Sequence, residues 1–568
     1  MTEQHELTTV KRNFGDEKID VLYRKATPID APESRYPGFH PHTYTLAKGT
    51  VMNTGALPLP CDIICNQDVA IPMRDGITLY ADIFRPAEEN DLPAIIAWGP
   101  FGKRGGTSLN QIPGRSGVPK DAVSDLQSWE GPDPAYWCNH GYAIVNVDAR
   151  GVASSEGDIH FWGTMEAQDG YDTIEWLAAQ SWCNGKVTLS GNSWLAIVQW
   201  FIAALQPPHL TAIAPWEGHI DLYRCDVLRG GIQDYRFNER VLTGLRGRNR
   251  IEDMPAMVRK YPLMNGYWED KEAKLEKITI PAYVVASLSA HHTIDGFPRI
   301  GSKEKWLRVH NTNEWFDYYT PEYTEDLRRF YDYYLKGIQN GWETTPKVRL
   351  SVINPGGTDE VDRPEIEWPL KRIRYQRLYL DAQLGKLSFE PIPTASNVGY
   401  SVENGEGKTM FTITFDKDTE ITGNLTLHLW AEADGSDDMD LFVNVSKWDA
   451  QNSPQRGASS RYAGPDGRLR ASHRQLDTEK SKPGRVRHTH RMEELLSPGQ
   501  IVSMEIPIRA TSMRWHAGEQ LVLTISGPLS SKAPEGVTPQ LLTRNKGGHI
   551  IHTGGKYDSY LLVPIIPG

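Results

Sequence analysis

A serine hydroxyl turns nucleophilic when a tight turn lifts it clear of a strand end and a base lies within hydrogen-bond reach. Residues 186–200, KVTLSGNSWLAIVQW, supply the turn. Val187 and Leu189 begin a short apolar run, Gly191, Asn192 and Ser193 interrupt it, and an apolar stretch of helical length follows. A strand that passes through Gly-x-Ser directly into a helix places Ser193 at the helix N-terminus. There the amide of Trp194 and the helix dipole favour a developing oxyanion. The usual Gly-x-Ser-x-Gly is kept at Gly191 and Ser193 and broken at Leu195. A Gly-Asn-Ser before a helix is more often just a turn with a capping side chain, so the surrounding chain has to decide.

With 568 residues the chain exceeds a single core, and a prior of about 150 residues per domain gives three or four units. Apolar content of 39%, with 17 Trp, 24 Tyr and 14 Phe, is that of a globular protein. A net charge of −11 argues against a phosphate-binding face, so nucleic acid is not an expected partner. The N-terminus is polar without an apolar signal region, and no window reaches the ~18 apolar residues of a membrane span, so a cytoplasmic location without membrane contact is expected. The cysteines, Cys61, Cys65, Cys138, Cys183 and Cys225, are odd in number and scattered, as reduced thiols are. Cys61 and Cys65 lack a second pair to complete a zinc site. Neither metal nor cofactor is expected.

Residues 1–65 are rich in Pro, Gly and His with little periodicity, which predicts an extended arm that wraps the surface or reaches a neighbouring subunit of a homodimer. Alternation on either side of Arg74-Asp75-Gly76 predicts a hairpin. Residues 94–98, ending in Trp98, and residues 142–148 are continuous apolar runs suited to central strands. A helix over 166–182, a strand over 187–190 and a helix over 195–205 complete a βα alternation, the pattern of a parallel doubly wound sheet. Asp169 and Asp172 read as a solvated helix face.

Residues 216–277, beginning at Trp216, break into short helical pieces with Met254, Met257 and Met264 among aromatics, which suits either an adaptable lid over an apolar pocket or ordinary packing. Core strands return at 278–289 and 303–311, then a helix ends at Gly337. From 346 to 568 short alternating strands without helices predict a jelly-roll β-sandwich. The acidic stretch from Asp434 to Asp440 lacks the spacing of a calcium loop and reads as an acidic turn. The fold class is therefore α/β, with a core over 66–215 and 278–345, a helical lid over 216–277 and a C-terminal jelly roll.

This order of parts, and the landmarks MRDGITLYADIFRP, GPFGK, DARGVASSEG, EAQDGYDTIEWLAAQSWCNGKV and GNSWLAIVQW, resemble the CocE/NonD hydrolases, which include cocaine esterase, α-amino-acid ester hydrolases and X-Pro dipeptidyl-peptidases. The resemblance covers roughly residues 66–565 and implies an α/β-hydrolase core, a serine nucleophile at Ser193, an oxyanion-hole amide at Trp194 and small ester or amide substrates. Three of the implied parts are replaced. Phe101 stands where the family has an oxyanion tyrosine, Ala290 where it has the catalytic aspartate, and Asn313 where it has the histidine. Asp295 and His310 lie close enough to serve as a displaced acid and base, and His291, His292 and Glu314 are also near.

Losing base and acid leaves only ~10³–10⁴ over water. The first expectation is therefore an enzyme repurposed for cyclisation, isomerisation or elimination of a small, largely apolar, secondary-metabolite-like substrate between core and lid. The alternative is an ester, lactone or amide hydrolase using Ser193, Asp295 and His310. A ligand-binding pseudoenzyme is the non-enzymatic reading.

Overall fold

The computed structural model describes residues 6–34, 36–104, 117–234, 236–403, 405–456, 462, 464–529 and 541–567. The predicted alternation forms an eleven-stranded mixed sheet. Its strands are β1 (His42–Leu46), β2 (Ile63–Pro72), β3 (Thr78–Pro86), β4 (Leu92–Gly99), β5 (Ala143–Asp148), β6 (Cys183–Asn192), β7 (Leu210–Trp216), β8 (Ala282–Ser287), β9 (Lys305–His310), β10 (Val348–Val352) and β11 (Glu360–Glu365). They lie in the order β11-β10-β9-β8-β7-β6-β4-β5-β3-β2-β1. From β10 to β5 neighbours run parallel; β4, β5 and β8 are buried along almost their whole length and β6 over its last six residues, which is why they read as continuous apolar runs. The Arg74-Asp75-Gly76 hairpin is present, with Pro72 opposite Thr78 and Gly76 at φ 88°.

The helices that matter to the site are α1 (Thr164–Ala178), α2 (Trp194–Ala204), α3 (His291–Gly296), α4 (Glu314–Tyr319) and α5 (Pro321–Leu335). α1 and α2 pack on one side of the sheet; α4 and α5 cover the other with an aromatic layer that includes Tyr318, Phe330 and Tyr331. The α1 face differs from expectation. Asp169 is buried and takes a two-bond contact from Arg150, at 2.6 and 2.8 Å, while Asp172 holds Arg74. An ion pair explains both carboxylates better than a solvated face.

Residues 8–25 form a hairpin, Thr8–Phe14 against Glu17–Lys25, to which Arg250–Glu252 of the insertion adds a third strand, and β1 extends the core sheet. The N-terminal segment is thus built into the fold where an extended arm was expected. Met254, Met257 and Met264 are buried, and the Met257 sulfur accepts from Leu22 N–H, so of the two readings of the insertion these residues fit packing.

The C-terminal strands form a second eleven-stranded sheet that closes by an additional pairing of Thr419–Asp434 with Tyr560–Ile566. Val348–Val352, expected in the jelly roll, belongs to the core: Leu307 of β9 pairs in parallel with Val348. Asp438 and Asp440 of the acidic stretch are taken by Ser472, Arg470 and Arg544.

Candidate active site

Ser193 follows β6 with φ 55° and ψ −118°, a conformation L-residues rarely adopt, and its amide is held by Trp216 O at 3.0 Å. Such a position costs on the order of 1–3 kcal/mol and persists only where the surroundings enforce it. The Ala196 and Ile197 amides bond back to Ser193 O, so those of Trp194 and Leu195 have no acceptor within the helix. Leu195 occupies space left by two glycines: a Cβ on Gly191 would stand 2.5 Å from Leu195 Cβ, and one on Gly99 2.9 Å from Leu195 Cδ1. The broken motif is therefore compatible with an intact elbow.

No hydrogen bond reaches the Ser193 hydroxyl among the described residues. The polar groups along the carboxyl edge of the sheet bond to one another. Glu217, just past β7, accepts from Ser287 N at 2.5 Å, Ser287 Oγ at 3.1 Å and His310 Nε2 at 2.7 Å. His310 Nδ1 lies 3.2 Å from Thr312 Oγ1 and 3.6 Å from Asp317. Asp317 also accepts from Trp216 Nε1 and from both terminal nitrogens of Arg308, all of them buried. Burial alone would lower the His310 pKa, but Asp317 and Glu217 outweigh it and raise it. His310 thus lies between two carboxylates that favour its protonated form. β6 and β9 are three strand spacings apart, and among the described residues no hydrogen bond joins His310 to Ser193.

Asp295, expected as the acid, is placed elsewhere. It lies on α3 and accepts from Asn424 of the C-terminal domain at 2.8 Å, while Glu217 holds His310. His292 is on the same helix, its ring 5.9 Å from that of His219; the side chain of His291 lies outside the described residues. Asn313 caps α4, accepting from Trp315 N at 3.0 Å. Phe101 stands edge-on to Trp194 with centroids 6.2 Å apart. Trp98 and Trp216 are fully buried and act as donors, Trp98 to Glu166 and Trp216 to Asp317, so they support the edge from below.

Sequence reasoning missed Glu217, whose signal was an acidic residue directly after a core strand. It also missed Glu130. Glu130 O accepts from Asn192 N at 3.1 Å and its Oε1 accepts from Trp315 Nε1 at 2.7 Å, tying α4 to the elbow. Burial pushes the Glu130 carboxyl up to about 8. A carboxyl raised on folding binds a proton the unfolded chain has released, so its contribution is full below the ordinary value near 4.5 and is lost as pH rises through about 8. Glu130→Gln, neutral throughout, is expected to gain stability over wild type progressively from pH 5 to pH 8, read from urea midpoints at each pH. A constant difference across that range would rule out this titration.

The chain is similar to known proteins along nearly its whole length. The model of the X-Pro dipeptidyl-peptidase (S15 family) matches residues 75–312, and that of the X-Pro dipeptidyl-peptidase C-terminal non-catalytic domain matches residues 340–562. A crystal structure of a CocE/NonD family hydrolase from Staphylococcus aureus superimposes with a TM-score of 0.87 at 34% identity, over 93% of this chain and 97% of that one. The chain belongs to the CocE/NonD hydrolase family.

Cocaine esterase of Rhodococcus sp. is 32% identical over 160 residues, which span 28% of this chain and 24% of that protein. An α-amino acid ester hydrolase shares the fold, with a TM-score of 0.65 at 17% identity. A CocE/NonD member thus keeps the elbow and the two-domain architecture around it. No described helix is long and apolar enough to cross a membrane.

Proposed function

We propose that this CocE/NonD member is an enzyme acting on a small, largely apolar substrate held between the core and the insertion, by cyclisation, isomerisation or elimination rather than triad hydrolysis. One observation carries the reading: both ring nitrogens of His310 face oxygen partners in the Glu217–Asp317 row while, among the described residues, no hydrogen bond joins a base to the Ser193 hydroxyl. A positioned base is worth about 10²–10⁴ in rate. Without one, the elbow retains its turn and its free amides, groups that orient a carbonyl or enolate oxygen by hydrogen bonding. Cytosolic secondary metabolism is the setting this chemistry suits.

The strained elbow favours a second reading, a serine hydrolase that draws a base to Ser193 only when substrate binds, with Glu217 in place of Asp295 as the partner of His310. A fluorophosphonate probe separates the two. Under the first reading Ser193 labels at least about 100-fold more slowly than the serine of a complete triad, and 4-nitrophenyl esters turn over no faster with wild type than with Ser193→Ala. Rapid labelling lost in Ser193→Ala would move the protein to the second.

A further inference from the structure

His219 sits three residues beyond Trp216 and is 7% exposed. It is fixed there by Gly218, where a Cβ would stand 2.9 Å from the Ala196 backbone and 3.0 Å from Ile197 N, and whose carbonyl accepts from Thr293 Oγ1 at 2.9 Å. The turn is thereby pressed onto the first turn of the elbow helix α2. The imidazole stands edge-on to Trp162, with centroids 4.7 Å apart, and the Trp162 ring lies 4.1 Å from that of Trp194, the residue after Ser193. Half-buried His292 flanks it on α3.

Among the described residues the His219 ring meets no hydrogen-bonding group of any other residue; the one hydrogen bond it makes is to its own backbone, which leaves a ring nitrogen unmet. Leaving a buried ring nitrogen unmet is unfavourable, and native structures retain such groups where water, an ion or a ligand meets them. The contrast with His310, whose two nitrogens both have oxygen partners, is internal to the same edge of the sheet.

We propose that His219 anchors a ligand site beside the Ser193 elbow and takes the hydroxyl of a small apolar molecule with a weakly acidic O–H, a phenol or an enol. The hydroxyl donates to the unprotonated ring nitrogen. Burial holds the His219 pKa down to about 3, so at neutral pH the ring is an acceptor and not a competing cation. The proposal rests on the reading that this face holds a small apolar substrate, and it names the group by which that substrate is seized.

The test is equilibrium binding of 4-nitrophenol, at a pH where it is un-ionised, against 4-nitroanisole, which has the same ring without the hydroxyl. Wild type is expected to bind the phenol saturably and the ether at least about tenfold more weakly, because a site built for a hydroxyl rejects the analogue lacking it. His219→Phe is expected to lose about tenfold or more in phenol affinity while melting at a higher temperature than wild type, since an unmet buried imidazole has been replaced by a hydrocarbon of similar shape. His219→Gln, which keeps a donor and an acceptor, falls between the two and serves if the phenylalanine variant does not fold. Equal binding of phenol and ether, no binding of either, or undiminished phenol binding in both variants would overturn the site. Phenol binding that depends on His219 alongside rapid fluorophosphonate labelling of Ser193 would keep the site and remove only the non-triad reading.

Discussion

Arg308→Met is expected to destabilise the core by roughly 3–5 kcal/mol, the range for removing one member of a buried ion pair. Arg308 and Asp317 are fully buried, and the guanidinium also donates to Tyr283 Oη at 3.1 Å and lies 3.9 Å from the Tyr323 ring centroid. Methionine fills much of the volume but leaves the Asp317 carboxylate with Trp216 Nε1 and His310 as its main support. The second half of the expectation separates charge from packing. Arg308→Met combined with Asp317→Leu should recover most of the loss, because two hydrocarbons replace a pair whose desolvation was unfavourable. Urea unfolding followed by far-ultraviolet circular dichroism measures both variants. A double variant as unstable as the single one would mean that shape, not charge, holds this edge. The sign with pH follows from His310: its pKa is raised, so stabilisation from its protonated form is full below about 6.5 and fades as pH rises through the folded value. Asp317→Asn should therefore lose more at pH 6 than at pH 9.

The same edge shows what a sequence can and cannot disclose. Ser193 was legible because an elbow is local: a strand, two turn residues and a helix lie within fifteen positions, and each leaves its own period in the chain. Glu217 and His310 are 93 residues apart, and nothing in either neighbourhood says that they meet. The pairing depends on the strand order β9-β8-β7-β6, which brings the end of β7 within reach of the end of β9. Asp295 was a reasonable acid by spacing, but α3 turns it toward Asn424, a contact with a domain more than a hundred residues away. Val348–Val352 failed in another way: alternation reveals a strand but not its sheet, and β10 alternates like the barrel strands that follow it. The buried carboxylate of Asp169 was missed because its partner, Arg150, comes from a strand end and not from the helix that carries it.

Placing an imidazole at 313 and a carboxylate at 290 is expected to return the fold to serine chemistry. Position 313 differs from position 310 in what surrounds it. His310 lies within β9, three strands from the elbow, whereas Asn313 lies past the strand, two residues from Trp315, which Glu130 bridges to Asn192 beside Ser193. An imidazole at 313 would stand on the segment that Trp315 and Glu130 tie to the elbow. Asn313→His with Ala290→Asp places base and acid at the positions the family pattern gives them, in the order serine, acid, histidine. The expected outcome is a rise in Ser193 labelling by a fluorophosphonate of about 100-fold or more, the lower range for a positioned base. Asn313→His alone gives less, since an unsupported imidazole lacks the carboxylate that fixes its tautomer. The change removes the α4 cap, where Asn313 accepts from Trp315 N, and so lowers stability by about 1 kcal/mol. That loss is visible in the melting temperature and separable from reactivity. Adding Phe101→Tyr tests the oxyanion side of the same argument, worth at most a further ~10²–10³, the contribution of one donor in a fully formed site. If the double variant labels no faster than wild type, the elbow is closed to a base for a reason other than these replacements, and the retained strain at Ser193 then serves the substrate's placement alone.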